Sequence, residues 1–296
     1  MRLAYLVLAH NNQLHLKRLL QALSVGGQDC FLYIGADSLL DPYDFAGRNI
    51  FPLYKRDNVY WAGYSLVRAT NELIRTAQSQ GDYDRLVLLS GADYPVRSQA
   101  YIQSFFSTNL DANFINVVRM PHNRKSLNRM RNYHIETVAS SNRSIAMISA
   151  GLRYAIQKFG IERNLPKPYD QYELYGGSQW WSFSGDFANY LLDFINANQE
   201  FVNFYRYTWA PDEMFFHTII MNSPFRKSVR PSCTFRERDY FSGPPLVIQK
   251  RHIPMLAKRV VDGEYGRFEP LLARKFNDDS RDVVQLINDQ LIECIR

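Results

Sequence analysis

Two stretches of uninterrupted apolar residues stand out along the chain, Leu3 to Ala9 and Leu86 to Leu89, each closed by small or polar residues. A run without alternation predicts a strand buried on both faces, the kind found in mostly parallel sheets covered by helices. Phe31 to Ile34 is a shorter run of the same type, and Asn113 to Met120 predicts a further strand. Between them the period changes. Leu16, Leu19, Leu20 and Leu23 follow i, i+3, i+4, i+7 spacing, and Leu66, Val67, Leu73, Ile74 and Ala77 line one face of a second helix with Ser65 as its N-cap. Alternating strands and helices over residues 1–120 predict a nucleotide-binding α/β half within one domain of 296 residues. Residues 121–296 then form the acceptor-binding and catalytic half. Residues 160–175 read as irregular loop, and Phe187, Tyr190, Leu191 and Phe194 at helical spacing read as core.

The strand ends carry the candidate chemistry, because ligands of open α/β sheets bind beyond the carboxyl ends of the strands. Leu86–Leu89 runs into Ser90-Gly91-Ala92-Asp93-Tyr94-Pro95, and Phe31–Ile34 into Gly35-Ala36-Asp37-Ser38. Each pairs a small residue with a carboxylate on the same edge, and His10 follows the first strand. An ordinary Gly/Asp/Pro turn is the competing reading. Further on, Tyr175-Gly176-Gly177-Ser178-Gln179-Trp180-Trp181 is a Gly-Gly turn entering a strand with adjacent tryptophans, one expected in the core and the other exposed as a sugar platform.

Ala210-Pro211-Asp212-Glu213 reads as a helix start, where acids are favoured by the dipole; a partly desolvated carboxylate there also suits a general base. The cations of Leu271-Leu272-Ala273-Arg274-Lys275 either decorate a helix end or neutralise a leaving diphosphate. The basic run from Arg119 through Arg124, Lys125, Arg129 and Arg131 is either a solvated face or a loop over an anionic ligand.

Composition narrows the partners. A net charge of +6 spread through the chain suits a phosphate-bearing small molecule better than a nucleic-acid track, and no nucleic-acid motif accompanies it. Cys30, Cys233 and Cys294 are three and far apart, which indicates neither a zinc site nor a disulfide framework. The first residues are too short an apolar run for a signal peptide, and no segment has the length of a membrane span, so a cytoplasmic protein is expected.

Six segments, YLVLAHNN, VYWAGYSLVRAT, LVLLSGADYPVRS, YGGSQWWSFS, APDEMFFHTI and LLARKFNDD, resemble in order those of the core-2/I-branching β-1,6-N-acetylglucosaminyltransferases and the related xylosyltransferases, glycosyltransferase family 14. The resemblance runs from residue 5 to 279. It implies a GT-A-like fold with a mostly parallel sheet, a UDP-sugar donor, a glycan or lipid-linked saccharide acceptor, inversion, and no divalent metal or other cofactor. It carries the catalytic base onto Glu213 and a diphosphate-binding cation onto Lys275. Around these it implies a donor side of His10, Asp37, Ser90, Gly91, Asp93, Arg274 and Arg251, and an acceptor side of Tyr175, Gly177, Trp180, Trp181, Asp212 and Arg129. SGADYP offers one carboxylate where metal-dependent relatives keep a pair, consistent with metal-free chemistry.

The chain also departs from the pattern. The His-Pro-Arg/Lys expected before the final helix is Gly243-Pro244-Pro245-Leu246, which leaves the second diphosphate cation to Lys250, Arg251 or an arginine of the 124–131 loop. Only Asp37 remains of His-Val-Asp-Lys at the second strand. Without the anchor and disulfides of Golgi relatives, the resemblance is to a bacterial-type version building a surface glycan, free in the cytosol or peripheral to the inner membrane face. A sugar- or nucleotide-binding protein that kept the fold without turnover is the alternative.

Overall fold

Leu3–Ala9 forms β1 with every residue buried, because helices cover both of its faces. A computed structural model describes residues 1–122, 125–136, 162–237 and 246–293, with Met147 and Gly151 between. Within these residues β1 is followed by α1 (Gln13–Leu23), β2 (Asp29–Ile34), β3 (Ile50–Pro52), α2 (Tyr64–Gln80), β4 (Arg85–Ser90), β5 (Asp93–Pro95), α3 (Gln99–Ser107) and β6 (Asn113–Arg119). The second half supplies α4 (Asn128–Arg131), β7 (Tyr175–Ser184), α5 (Gly185–Ala197), α6 (Gln199–Tyr205), α7 (Phe215–Met221), β8 (Val229–Arg230) and β9 (Thr234–Arg236). Then come α8 (Ile253–Leu256), the β10–β11 hairpin (Val261–Gly263, Gly266–Phe268), β12 (Leu272–Arg274) and a last α-helix, α9 (Arg281–Ile287).

Seven of these strands form one sheet in the order β3-β2-β1-β4-β7-β6-β8. Only β7 runs against its neighbours, pairing antiparallel with β4 and β6, so the sheet is mostly parallel. This is a GT-A-like α/β architecture. Its two faces explain the apolar runs. Ala4, Leu6 and Leu8 of β1 join Val67, Leu73, Ile74 and Ala77 of α2 in one core, while Leu3, Tyr5 and Val7 join Leu16, Leu19 and Leu20 of α1 in the other. The sheet does not divide at residue 120, since β7 is inserted between β4 and β6.

Local details differ from the sequence reading. Gly63, not Ser65, precedes α2; Ser65 Oγ instead accepts from Tyr60 N at 2.8 Å, and Ser65 N donates to Glu136 Oε1 at 2.7 Å. A distant carboxylate thus serves the helix start. Pro211–Glu213 is a single 3₁₀ turn ahead of α7, and Arg274 ends a strand rather than adjoining a helix end. β12 lies between β5 and β9 in a second, three-stranded sheet. Cys30 and Cys233 are buried free thiols, while Arg124, residues 243–245 and Cys294 fall outside the described residues.

Candidate active site

The carboxyl ends of β1, β2 and β4 share one edge, and the turns that leave them are tightly built. Gly91 N donates to Leu8 O at 2.8 Å, and a Cβ on Gly91 would lie 3.0 Å from Ala9 Cβ. Gly91 therefore permits strand packing. Asp93 is fully buried, where an accessible rim carboxylate was expected: its Oδ2 accepts from Ser90 N at 2.8 Å and its Oδ1 lies 3.4 Å from Arg274 Nε. Burial raises its pKa, against the opposing pull of Arg274. His10 and Asp37 stay exposed in the turns that leave the neighbouring strands β1 and β2; Asp37 Oδ1 accepts from Val59 N, and His10 O accepts from Ser38 Oγ.

Arg274, read as a phosphate ligand, is buried too. Its guanidinium stacks 4.2 Å over the Trp180 ring, in ion-pair contact with Asp93. The exposed indole expected of the Trp180-Trp181 pair is not there. Trp180 is 8% exposed under Arg274, and Trp181 is 2% exposed, stacked 4.0 Å from Phe183. Neither indole is left open: Arg274 of β12 lies over Trp180, while Phe183 and Phe216 pack on Trp181. Lys275 is half-buried beside this group, its pKa lowered by burial and by Arg274. Arg251 is exposed, with Nε 3.2 Å from His252 Nε2.

Glu213 is held from the other side. Lys125 Nζ donates to its Oε2, and Arg129 meets the same oxygen at 2.8 Å. Burial would raise the Glu213 pKa, but the two cations outweigh it and hold it below the usual range. Among the described residues nothing donates to Oε1. Lys125, 6% exposed, had no signal of its own within a charge run; only the fold buries it against Gly176 and Glu213. Asp212 is buried with an unpartnered Oδ1, and burial together with Glu213 pushes its pKa up to about 7. Gly177 leaves no room for a side chain: a Cβ there would lie 1.6 Å from Asn116 O. Tyr175 is buried, and its hydroxyl donates to Glu173 at 2.7 Å. Glu173 is also paired with Arg119 and Arg226.

The accessible aromatic beside Glu213 is a pair the sequence reading passed over. Trp61 is 79% exposed and meets Trp209 edge-on at 5.8 Å, while Arg129 stacks 4.4 Å over Trp209. Each tryptophan precedes an alanine in the left-handed region, Ala62 at φ 58° and Ala210 at φ 49°, and Ala210 N donates to Ala62 O at 2.8 Å. Two non-glycine residues held at positive φ cost free energy, and such residues cluster at ligand sites. The repeated Trp-Ala followed by Gly or Pro was the available signal.

A carboxylate, two cations, an exposed indole and a half-buried one thus lie together beyond the carboxyl edge of this GT-A-like sheet. A family model described as Core-2/I-Branching enzyme matches residues 3–236, and the chain belongs to that glycosyltransferase family. It is 28% identical to Xylosyltransferase 2 of Rattus norvegicus over 246 residues, 77% of this chain and 25% of that protein. Xylosyltransferase 2 of Homo sapiens is 28% identical over 238 residues, 75% of this chain and 25% of the relative. Xylosyltransferase 1 of Rattus norvegicus is 25% identical over 240 residues, 75% and 26% of the two chains. The chain thus spans about a quarter of the length of these relatives. No helix among the described residues is long and apolar enough to cross a membrane.

Proposed function

We propose that the protein is an inverting glycosyltransferase that moves a sugar from a UDP-sugar to a glycan hydroxyl without a divalent metal, with Glu213 as general base. The observation that carries this reading is Glu213 at the sheet's carboxyl edge, about a third exposed, with both cations on Oε2 and Oε1 turned to no donor among the described residues. An acceptor hydroxyl would give its proton to Oε1 as its oxygen bonds to the anomeric carbon. The bond from that carbon to the diphosphate breaks on the opposite face, and UDP leaves with the electron pair. Lys275 stabilises that developing charge. Direct displacement inverts the anomeric centre.

Arg129, Trp209 and Trp61 suit the acceptor side, with one cation and two indoles for a saccharide ring. Lys125 and Asp212 lie behind them as the groups that tune Glu213. Asp93 has its oxygens engaged by Ser90 and Arg274, so metal-free stabilisation by cations is the simpler chemistry here. The names of the xylosyltransferase relatives bring UDP-xylose forward as donor, alongside UDP-N-acetylglucosamine. Incubation with both UDP-sugars and a panel of saccharide acceptors, followed by UDP release and product mass, tests the reading. Transfer from one donor is expected. UDP-sugar binding without release from any donor would instead mark a binding protein on this fold.

A further inference from the structure

Glu136 reaches a helix to which it does not belong. The first N–H groups of α2 have no partner within the helix, Gly63 at its N-cap has no side chain, and its first turn holds no acid. The half-buried Glu136 supplies both the missing acceptor and the missing charge, its Oε1 taking the Ser65 N–H at 2.7 Å from 71 positions along the chain. Gly63 is what admits it. A Cβ there would run into the Glu136 carboxylate, although a φ of −99° suits any residue.

The contact fastens the turn that carries the exposed Trp61. Gly63 N donates to Tyr60 O at 3.0 Å and Tyr60 N to Ser65 Oγ at 2.8 Å, so holding Ser65 holds residues 60–65. The same segment, residues 125–136, also grips the loop that carries Trp209: Trp209 N donates to Arg129 O at 3.0 Å, His134 N donates to Tyr207 O at 2.8 Å, and Arg129 meets Glu213. We propose that Glu136 is a positioning residue: it fixes the turn from which Ala62 accepts the Ala210 N–H, sets Trp61 against Trp209, and so shapes the acceptor platform. The inference rests on the acceptor side proposed above. A saccharide held equally well by an indole in the ground and transition states feels its displacement in KM rather than in kcat.

Transfer rates at saturating UDP-sugar and varied saccharide acceptor test it. Glu136→Ala is expected to raise the acceptor KM about three- to tenfold, the range of one aromatic contact, with kcat and UDP affinity close to those of the parent. Glu136→Gln keeps an oxygen for Ser65 N and should return most of the acceptor affinity. Gly63→Ala, which displaces the carboxylate from the other side of the contact, should reproduce Glu136→Ala. Added to Trp61→Ala, Glu136→Ala should raise KM no further, because it acts through that indole. An unchanged acceptor KM in folded Glu136→Ala and Gly63→Ala, even with a lowered melting temperature, overturns the proposal and leaves Glu136 as a helix cap alone; so do losses that add in the double variant. A parent protein that transfers sugar from neither donor overturns the glycosyltransferase reading and this inference with it.

Discussion

Replacing Glu213 by glutamine removes the charge that Lys125 and Arg129 share, and the structure says what that does apart from catalysis. Lys125 is nearly fully buried, so the loss leaves an ammonium without its main partner. Breaking a buried pair costs roughly 3 to 5 kcal/mol, but Glu213 is itself 34% exposed and water screens it, which brings the expected loss to about 1 to 3 kcal/mol. That exceeds the ~0.3 to 1 kcal/mol of an acid that only favours a helix dipole. Thermal melting should fall by a few degrees to about 10 °C on this scale.

Turnover should fall further, by about 10² to 10⁴-fold, because glutamine cannot take the acceptor's proton; UDP affinity should hold. Adding Lys125→Met removes the stranded charge, so the double variant should regain much of the stability and none of the turnover. Measured side by side, the melts and the rate of UDP release per acceptor glycosylated separate the two roles. Transfer at close to the parent rate by folded Glu213→Gln would refute the general-base assignment.

Turnover is expected to survive EDTA; complete loss restored by manganese would overturn the metal-free chemistry. His217 is buried with Nε2 3.0 Å from Ser178 O, and burial, reinforced by Lys125, lowers its pKa from 6.5 to about 3; His15 is lowered by burial to about 4. A base with a depressed folded pKa contributes stability that is present above its unfolded value and lost as pH falls toward the folded one. Melting temperature should therefore drop between pH 6.5 and 4, and His217→Gln should flatten that drop by on the order of 1.4 kcal/mol per pH unit; an unchanged slope would count against it. Gly177→Ala should be destabilised by at least about 3 kcal/mol, given the Cβ position against Asn116 O, whereas Gly47→Ala, with its nearest atom at 3.7 Å, should melt like the parent. Equal melts for the two glycine variants would refute the packing argument.

Hydrophobic pattern alone marked β1, β2, β4, β6, α1 and α2 in the first 120 residues, while β3, β5 and α3 were not read from it. An uninterrupted run such as Leu3–Ala9 has no polar face to give to water, and the two helices beside it carry matching apolar stripes. The parallel strands also bring the segments that follow β1, β2 and β4 to one edge, as their order in the sequence implies. Which side chains face that edge was decided by tertiary packing. Trp180 and Trp181 look like a platform in sequence, yet a strand covered on both faces buries both, while Trp61 and Trp209, 148 positions apart by their numbers (209 − 61), meet only because Ala62 and Ala210 bond across two loops. Asp93 and Arg274 became an internal pair through the register of β5 and β12. Charge works the same way: a lysine in a basic run is solvated by default, and only the fold could bury Lys125 against Glu213, since desolvation depends on neighbours that no local stretch of sequence names.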